Sequence, residues 1–149
     1  MRRALELAAG SVAAGGGPFG SVVVRDGRVV AEGCNRVTLA CDPTAHGEVE
    51  AIRAACRSLG VFRLDGCELY TSCEPCPMCL GAAYWAGIER IYYAATRDDA
   101  ARAGFDDSLI YDEIPLAPDR RRVPAVRLEL ADAAGPFRLW SEKEDKTAY

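Results

Sequence analysis

The sequence predicts an α/β protein: three layers, α/β/α, built on a mixed five-stranded sheet. Three observations carry this. Helical and strand-like segments alternate as α-β-β-α-β-α-β-α over residues 1–103. Asp26-Gly27 separates two short β-branched runs, the signature of an antiparallel hairpin. The last two strands are each preceded by a helix, an order that favours parallel pairing through crossovers, with helices on both faces of the sheet.

Taken in order, residues 2–14 are rich in Ala and Leu and suit a first amphipathic helix, stopped by Gly15-Gly16-Gly17-Pro18. Ser21 to Val24 and Val29-Val30-Ala31 form the hairpin strands. Residues 34–45 read as a loop, with Thr44 as N-cap of a helix from Ala45 to Leu59. Within that helix Val49, Ile52, Cys56 and Leu59 recur at three- and four-residue spacing, so one stripe is buried. Gly60 ends it. Glu68 to Ser72 reads as a strand. Pro77 suits the first turn of a helix running through Trp85, which Gly87 breaks. Arg90 to Ala94 is the next strand, and Asp98 to Ala103 a short helix. Pro115, Pro118 and Pro124 mark a connector, after which Val126 to Leu130 would supply the fifth strand.

The 149 residues, half of them hydrophobic and 27% charged, suit one well-cored domain. No apolar run approaches the roughly 20 residues of a membrane helix, and no export signal is expected. A formal charge of −4 argues against a polyanion partner, so no nucleic-acid or membrane binding is expected. The exception would be Arg120-Arg121-Arg122, more simply read as a solvated loop run. Seven cysteines without secretory context point to a cytoplasmic chain rather than a disulfide framework.

The chemistry concentrates in two stretches. His46-Gly47-Glu48 carries the only histidine, and Pro75-Cys76-Pro77-Met78-Cys79 carries two thiols three positions apart. H-x-E followed later by P-C-x-x-C is the signature of zinc-dependent deaminases. One His and two Cys are three ligands for one Zn²⁺, and a catalytic zinc keeps its fourth position for water. Both groups fall at predicted helix starts, where the helix dipole favours thiolate. Glu48 in the first turn could take a proton from the activated water and hand it to a leaving amine. The alternative is a closed structural site, with Cys73 joining Cys76, Cys79 and His46 as fourth ligand; it leaves Glu48 unexplained.

At this point the chain resembles the bacterial guanine deaminases of the cytidine-deaminase superfamily. The residues that carry the resemblance are Gly17-Pro18-Phe19-Gly20, Asn35, Asp42 to His46, Thr71 to Gly81 with Trp85, Phe105 to Ser108 and the terminal Tyr149. The resemblance implies a cytidine-deaminase-like fold and conversion of guanine to xanthine and ammonia. It implies one zinc per subunit on His46, Cys76 and Cys79, with Glu48 as proton shuttle. Asn35 would hydrogen-bond the purine edge, and Phe19 and Trp85 would wall the ring. Asp107, with Glu74, would read the amino end of the base, and Tyr149 would close the pocket. It also implies a homodimer, with residues 131–149 exchanged between subunits about a hinge from Ile114 to Pro124.

Each assignment has a plainer reading. Asn35 is a turn residue, Phe19 and Trp85 are core, Asp106 and Asp107 cap a short helix, Glu74 is a solvated charge, and the tail is frayed. One departure stands out: Gly47 occupies a position that is usually alanine in such motifs. Another amino-heterocycle or nucleoside, such as cytidine, cytosine, ammeline or guanosine, is the alternative substrate. A tRNA adenosine deaminase and a non-catalytic zinc protein are the further alternatives.

Overall fold

In the computed structural model, residues 1–148 are described; Tyr149 lies outside them. The chain divides into two compact units, residues 1–107 and 108–149.

The first unit opens with α1 (Arg2–Ala13) and the hairpin β1 (Gly20–Arg25) and β2 (Arg28–Cys34). Asp26 and Gly27 both have positive φ (50° and 71°). A two-residue hairpin turn of this hand needs that conformation twice, and Asp-Gly supplies it cheaply. α2 (Val37–Ala40), α3 (Gly47–Leu59), β3 (Cys67–Cys73), α4 (Pro77–Ala86), β4 (Arg90–Ala95) and α5 (Arg97–Arg102) follow. The strand order is β2-β1-β3-β4. β1 is antiparallel to both its neighbours and β3–β4 is parallel. The sheet is therefore mixed, as expected.

Alternation along the strands sorts the layers. Gly20 meets the backbone of α1 so closely that an added Cβ would lie 2.5 Å from Ala4 O. Its neighbour Ser21 faces the other way, towards α3, as does Val23. Val23, Ala51, Ile52, Ala55, Leu64, Cys67, Leu69, Ala83 and Ala86 form the core between the sheet and the layer of α3 and α4. The expected α/β/α layering holds.

Three expectations are corrected. The sheet has four strands, not five. Val126 to Leu130 forms no strand; Val126, Leu128 and Leu130 are 70–76% exposed. Their alternation fits a pleat, but a pleat forms only where a neighbouring backbone accepts its hydrogen bonds. Thr44 does not cap α3: its hydroxyl donates to Asp42 Oδ1 at 2.7 Å, closing a local turn. His46 is the N-cap residue instead, and α3 starts at Gly47. The loop over 34–45 contains the short helix α2, ended by Cys41 at φ 50°.

The second unit contains α6 (Ser108–Glu113), a 3₁₀ turn over Pro118–Arg120 and α7 (Gly135–Glu142). α7 lies in a stretch with no helical expectation. Arg121 donates to the carbonyls of Ile114 and Leu116. At least this member of the arginine run is thus engaged within its own unit. Among the described residues no helix is long and apolar enough to cross a membrane.

Candidate metal and active centre

Two helix starts build the centre. His46 precedes α3 and Cys76 precedes α4, both in extended backbone. Pro77 at the first helical position of α4 needs no hydrogen-bond partner for its nitrogen. Cys79, two residues further on, returns to the face of Cys76. His46 Nδ1 lies 3.5 Å from Cys79 Sγ and 3.6 Å from Cys76 Sγ, and the two sulfurs are 3.6 Å apart. A tetrahedral zinc at ordinary bond lengths sets nitrogen and sulfur about 3.5 Å apart and two sulfurs about 3.8 Å apart. The three atoms thus already span one face of a zinc tetrahedron.

The charge state suits a cation. The Cys76 thiol is drawn down to about 4, first by its hydrogen bond with Cys79 and also by that with His46. Cys79 is held up by its hydrogen bond with Cys76 and by burial. His46 is raised above the usual imidazole range, mainly by its hydrogen bond with Cys76.

Cys73 does not join this set. Among the described residues the grouping with metal-ligand geometry is His46, Cys76 and Cys79. The Cys73 thiol points instead to Thr96 O at 3.4 Å, and burial pushes it up to about 11. The closed four-ligand site has no fourth ligand here.

Glu48 stands beside the centre, 4% exposed. Its Oε2 accepts from Cys79 Sγ at 3.4 Å and its Oε1 from Thr71 Oγ1 at 3.3 Å. Burial raises its carboxyl above the ordinary range, the direction that suits a group holding and releasing protons near neutrality. Gly47 lets this turn sit close to β1: an added Cβ would lie 3.2 Å from Phe19 O.

Phe19, Asn35, Glu74 and Asp107 lie on the loops around the centre, whereas Trp85 sits at the opposite end of α4 from Cys76. Asn35 is buried, and its side-chain oxygen accepts from the N–H groups of Gly17 (3.3 Å) and Val37 (3.2 Å). Its backbone N–H donates to Phe19 O at 2.9 Å. A side chain at Gly17 would crowd this approach, since a Cβ would meet Asn35 Cγ at 3.0 Å. The Phe19 ring meets Phe105 edge-on, with centroids 5.0 Å apart. Asp107 is half-buried, and burial followed by the nearby Cys76 raises its carboxyl. Glu74 Oε2 accepts from Arg97 N–H at 3.1 Å, so one of its oxygens holds the start of α5. Trp85 is 71% exposed on the last turn of α4, not core. Tyr149 lies outside the described residues.

Two buried hydroxyls were not anticipated. Ser21 Oγ donates to Thr71 Oγ1 at 3.0 Å, and Thr71 donates on to Glu48. The available signal was a polar residue at a core-facing strand position, legible only once the facing of each strand is known.

The sequence profile of the cytidine and deoxycytidylate deaminase zinc-binding region matches residues 1–95. The chain belongs to this family. As a member it is a zinc-dependent deaminase, and the zinc-ligand geometry above fits that assignment. The guanine deaminase of Bacillus subtilis (strain 168) is 53% identical over all of this chain and 96% of its own length. The X-ray structure of guanine deaminase from Bacillus subtilis superposes with a TM-score of 0.97 at 54% identity, covering 99% of this deaminase and 95% of that chain. A solved guanine deaminase from Nitrosomonas europaea is 40% identical, with a TM-score of 0.68 over 71% of this chain and 62% of that one. The tRNA-specific adenosine deaminase of Agrobacterium fabrum is 50% identical, but over 52% of this chain and 51% of its own length.

Proposed function

We propose that this deaminase hydrolyses guanine to xanthine and ammonia. One observation carries the reading. The likeness to a guanine deaminase runs through the whole chain at 53% identity, including residues 96–149 beyond the family region, whereas the likenesses to tRNA-specific adenosine deaminases cover 52–76% of it. The acidic balance of the chain adds to it, since a tRNA partner calls for a basic face.

The reaction follows from the placement of the groups. Zinc on His46, Cys76 and Cys79 would supply an acidified water next to the carbon that bears the amino group. Glu48 takes a proton, gives it to a ring nitrogen, and later gives one to the departing amine. Its burial keeps bulk water from competing for that proton. Asn35 has its carboxamide oxygen committed to Gly17 and Val37. Its NH₂ group is therefore the end that donates to an acceptor on the purine edge. Phe19, braced by Phe105, and Trp85 bound the ring. Asp107 accepts from the N–H donors of the base, with the second oxygen of Glu74 beside it. Tyr149 closes the pocket.

We assign residues 1–149 to one deaminase domain that works as a homodimer, with residues 131–149 exchanged between subunits. Support comes from the apolar side chains of the second unit. Phe137 and Leu139 are exposed along with Val126, Leu128 and Leu130, and a second copy would cover such a surface. All seven cysteines are free thiols, in keeping with a cytoplasmic site of action.

Steady-state assays with guanine, cytosine, cytidine, adenine, guanosine, ammeline and tRNA test the substrate. Xanthine and ammonia from guanine are expected. No ammonia from guanine, with clear turnover of another compound, overturns the assignment. Light scattering on the eluting protein reports a dimer's mass if the exchange is right.

A further inference from the structure

Ser21 and Thr71 sit opposite each other on adjacent antiparallel strands, β1 and β3. Both face the layer of α3, in line with the apolar Val23 and Leu69. Both are fully buried, at 0% exposure. Hydroxyls in such a layer are unfavourable unless hydrogen-bonded, and these two are bonded in one direction. Ser21 donates to Thr71, and Thr71 donates to Glu48 Oε1. The row ends on the one buried carboxylate of the centre.

We infer that Ser21 and Thr71 form a positioning relay that orients the Glu48 carboxylate for proton transfer. The inference rests on the reading of Glu48 as the proton carrier. Thr71 donates to Glu48 Oε1 at 3.3 Å, while Oε2 faces Cys79 Sγ at 3.4 Å. Thr71 is the buried hydroxyl that holds the carboxylate. Because it engages Oε1, it leaves Oε2, the oxygen nearer Cys79, to take and give the proton. Ser21 fixes the Thr71 hydroxyl by occupying its oxygen as an acceptor, so that the Thr71 proton points at Glu48 rather than back along the strand.

The test uses full-length protein with zinc content, melting temperature, kcat and KM measured for each variant. The substrate is guanine, or whichever of the compounds above the wild type turns over. Thr71→Val removes the donor, and the double variant Ser21→Ala/Thr71→Val removes both hydroxyls so that none is stranded. Both should lower kcat about 10- to 100-fold, the size of a misplaced catalytic group. KM should stay within about twofold and zinc at one per chain, since neither substrate nor metal contact is touched. Thr71→Ser, which keeps the hydroxyl, should restore most of the rate, and Ser21→Ala alone should fall between. A wild-type kcat in Thr71→Val, a rate loss that merely tracks zinc loss or melting temperature, or Thr71→Ser as poor as Thr71→Val would each overturn the relay. If Thr71→Val does not fold, Ser21→Ala and Thr71→Ser carry the comparison. Glu48→Ala runs alongside: if it keeps activity, the reading of Glu48 itself is wrong; if it is inactive while Thr71→Val is not, the relay alone fails.

Discussion

Leu64 and Leu69 in the first unit are at most 1% exposed, whereas Val123, Val126, Leu128 and Leu130 in the second are 70–80% exposed. Among the described residues of 108–149, Gly135 is the only buried one. A segment of about 40 residues rarely buries enough apolar surface to offset the entropy of ordering itself. The first unit carries its own core and the whole metal centre. The second has apolar side chains in number but nothing of its own to bury them. The contrast assigns stability to the first unit, and the proposed exchange between subunits gives the second its role in assembly.

Substitutions can break or sharpen this contrast. The largest effect is expected from His46→Ala, which removes the only imidazole in the chain. Zinc should no longer be retained on gel filtration and turnover should vanish. Full zinc content measured by atomic absorption would show that the ligand set is elsewhere. Next comes a matched pair of leucines. Leu69→Ala in the first core should cost about 2–5 kcal/mol in urea unfolding. Leu128→Ala should cost less than about 0.5 kcal/mol in the same transition, while weakening self-association on dilution. Equal costs would mean that the two units share one core.

A smaller effect separates two roles of Asn35. Asn35→Asp keeps the oxygen that accepts from Gly17 and Val37 but loses the NH₂ donor. It should melt near the wild type yet lose about 10- to 100-fold in kcat/KM, the worth of one lost substrate hydrogen bond. A large drop in melting temperature with unchanged kcat/KM would make Asn35 purely structural. Gly47→Ala should change least. Better helix propensity favours alanine by about 1 kcal/mol. The 3.2 Å approach to Phe19 O opposes it by forcing a small shift of β1. Stability within about 1 kcal/mol of wild type is expected, and a larger loss would show that β1 cannot give.

Much of this was readable because its causes are local. Asp26-Gly27 specifies its hairpin turn by backbone preference alone. Gly60 and Gly87 end α3 and α4 in the left-handed conformation, at φ 68° and 70°. The donors of the zinc site fall at helix starts because Cys76-Pro77 and the residues around His46 make those starts. What escaped depends on partners far along the chain. Val126 to Leu130 has the alternation of a strand, yet alternation states a facing and not the presence of a neighbour. Thr44 looked like a cap because caps are short and hydroxylated, but Asp42 two residues earlier competes for its hydroxyl. Ser21 and Thr71 are 50 positions apart in bond distance across the sheet. Nothing in either local sequence announces the other.

The central claim is that zinc and Glu48 together perform hydrolytic deamination of guanine. The most direct test measures zinc per chain and xanthine formed from guanine, for the wild type and Glu48→Ala in parallel. The account predicts one zinc per chain in both proteins. Turnover should be present in the wild type and lowered about 100-fold or more in the variant, the span expected for a lost acid–base group. Zinc retained in both with equal rates of xanthine formation, or zinc retained with no product from either, would contradict it.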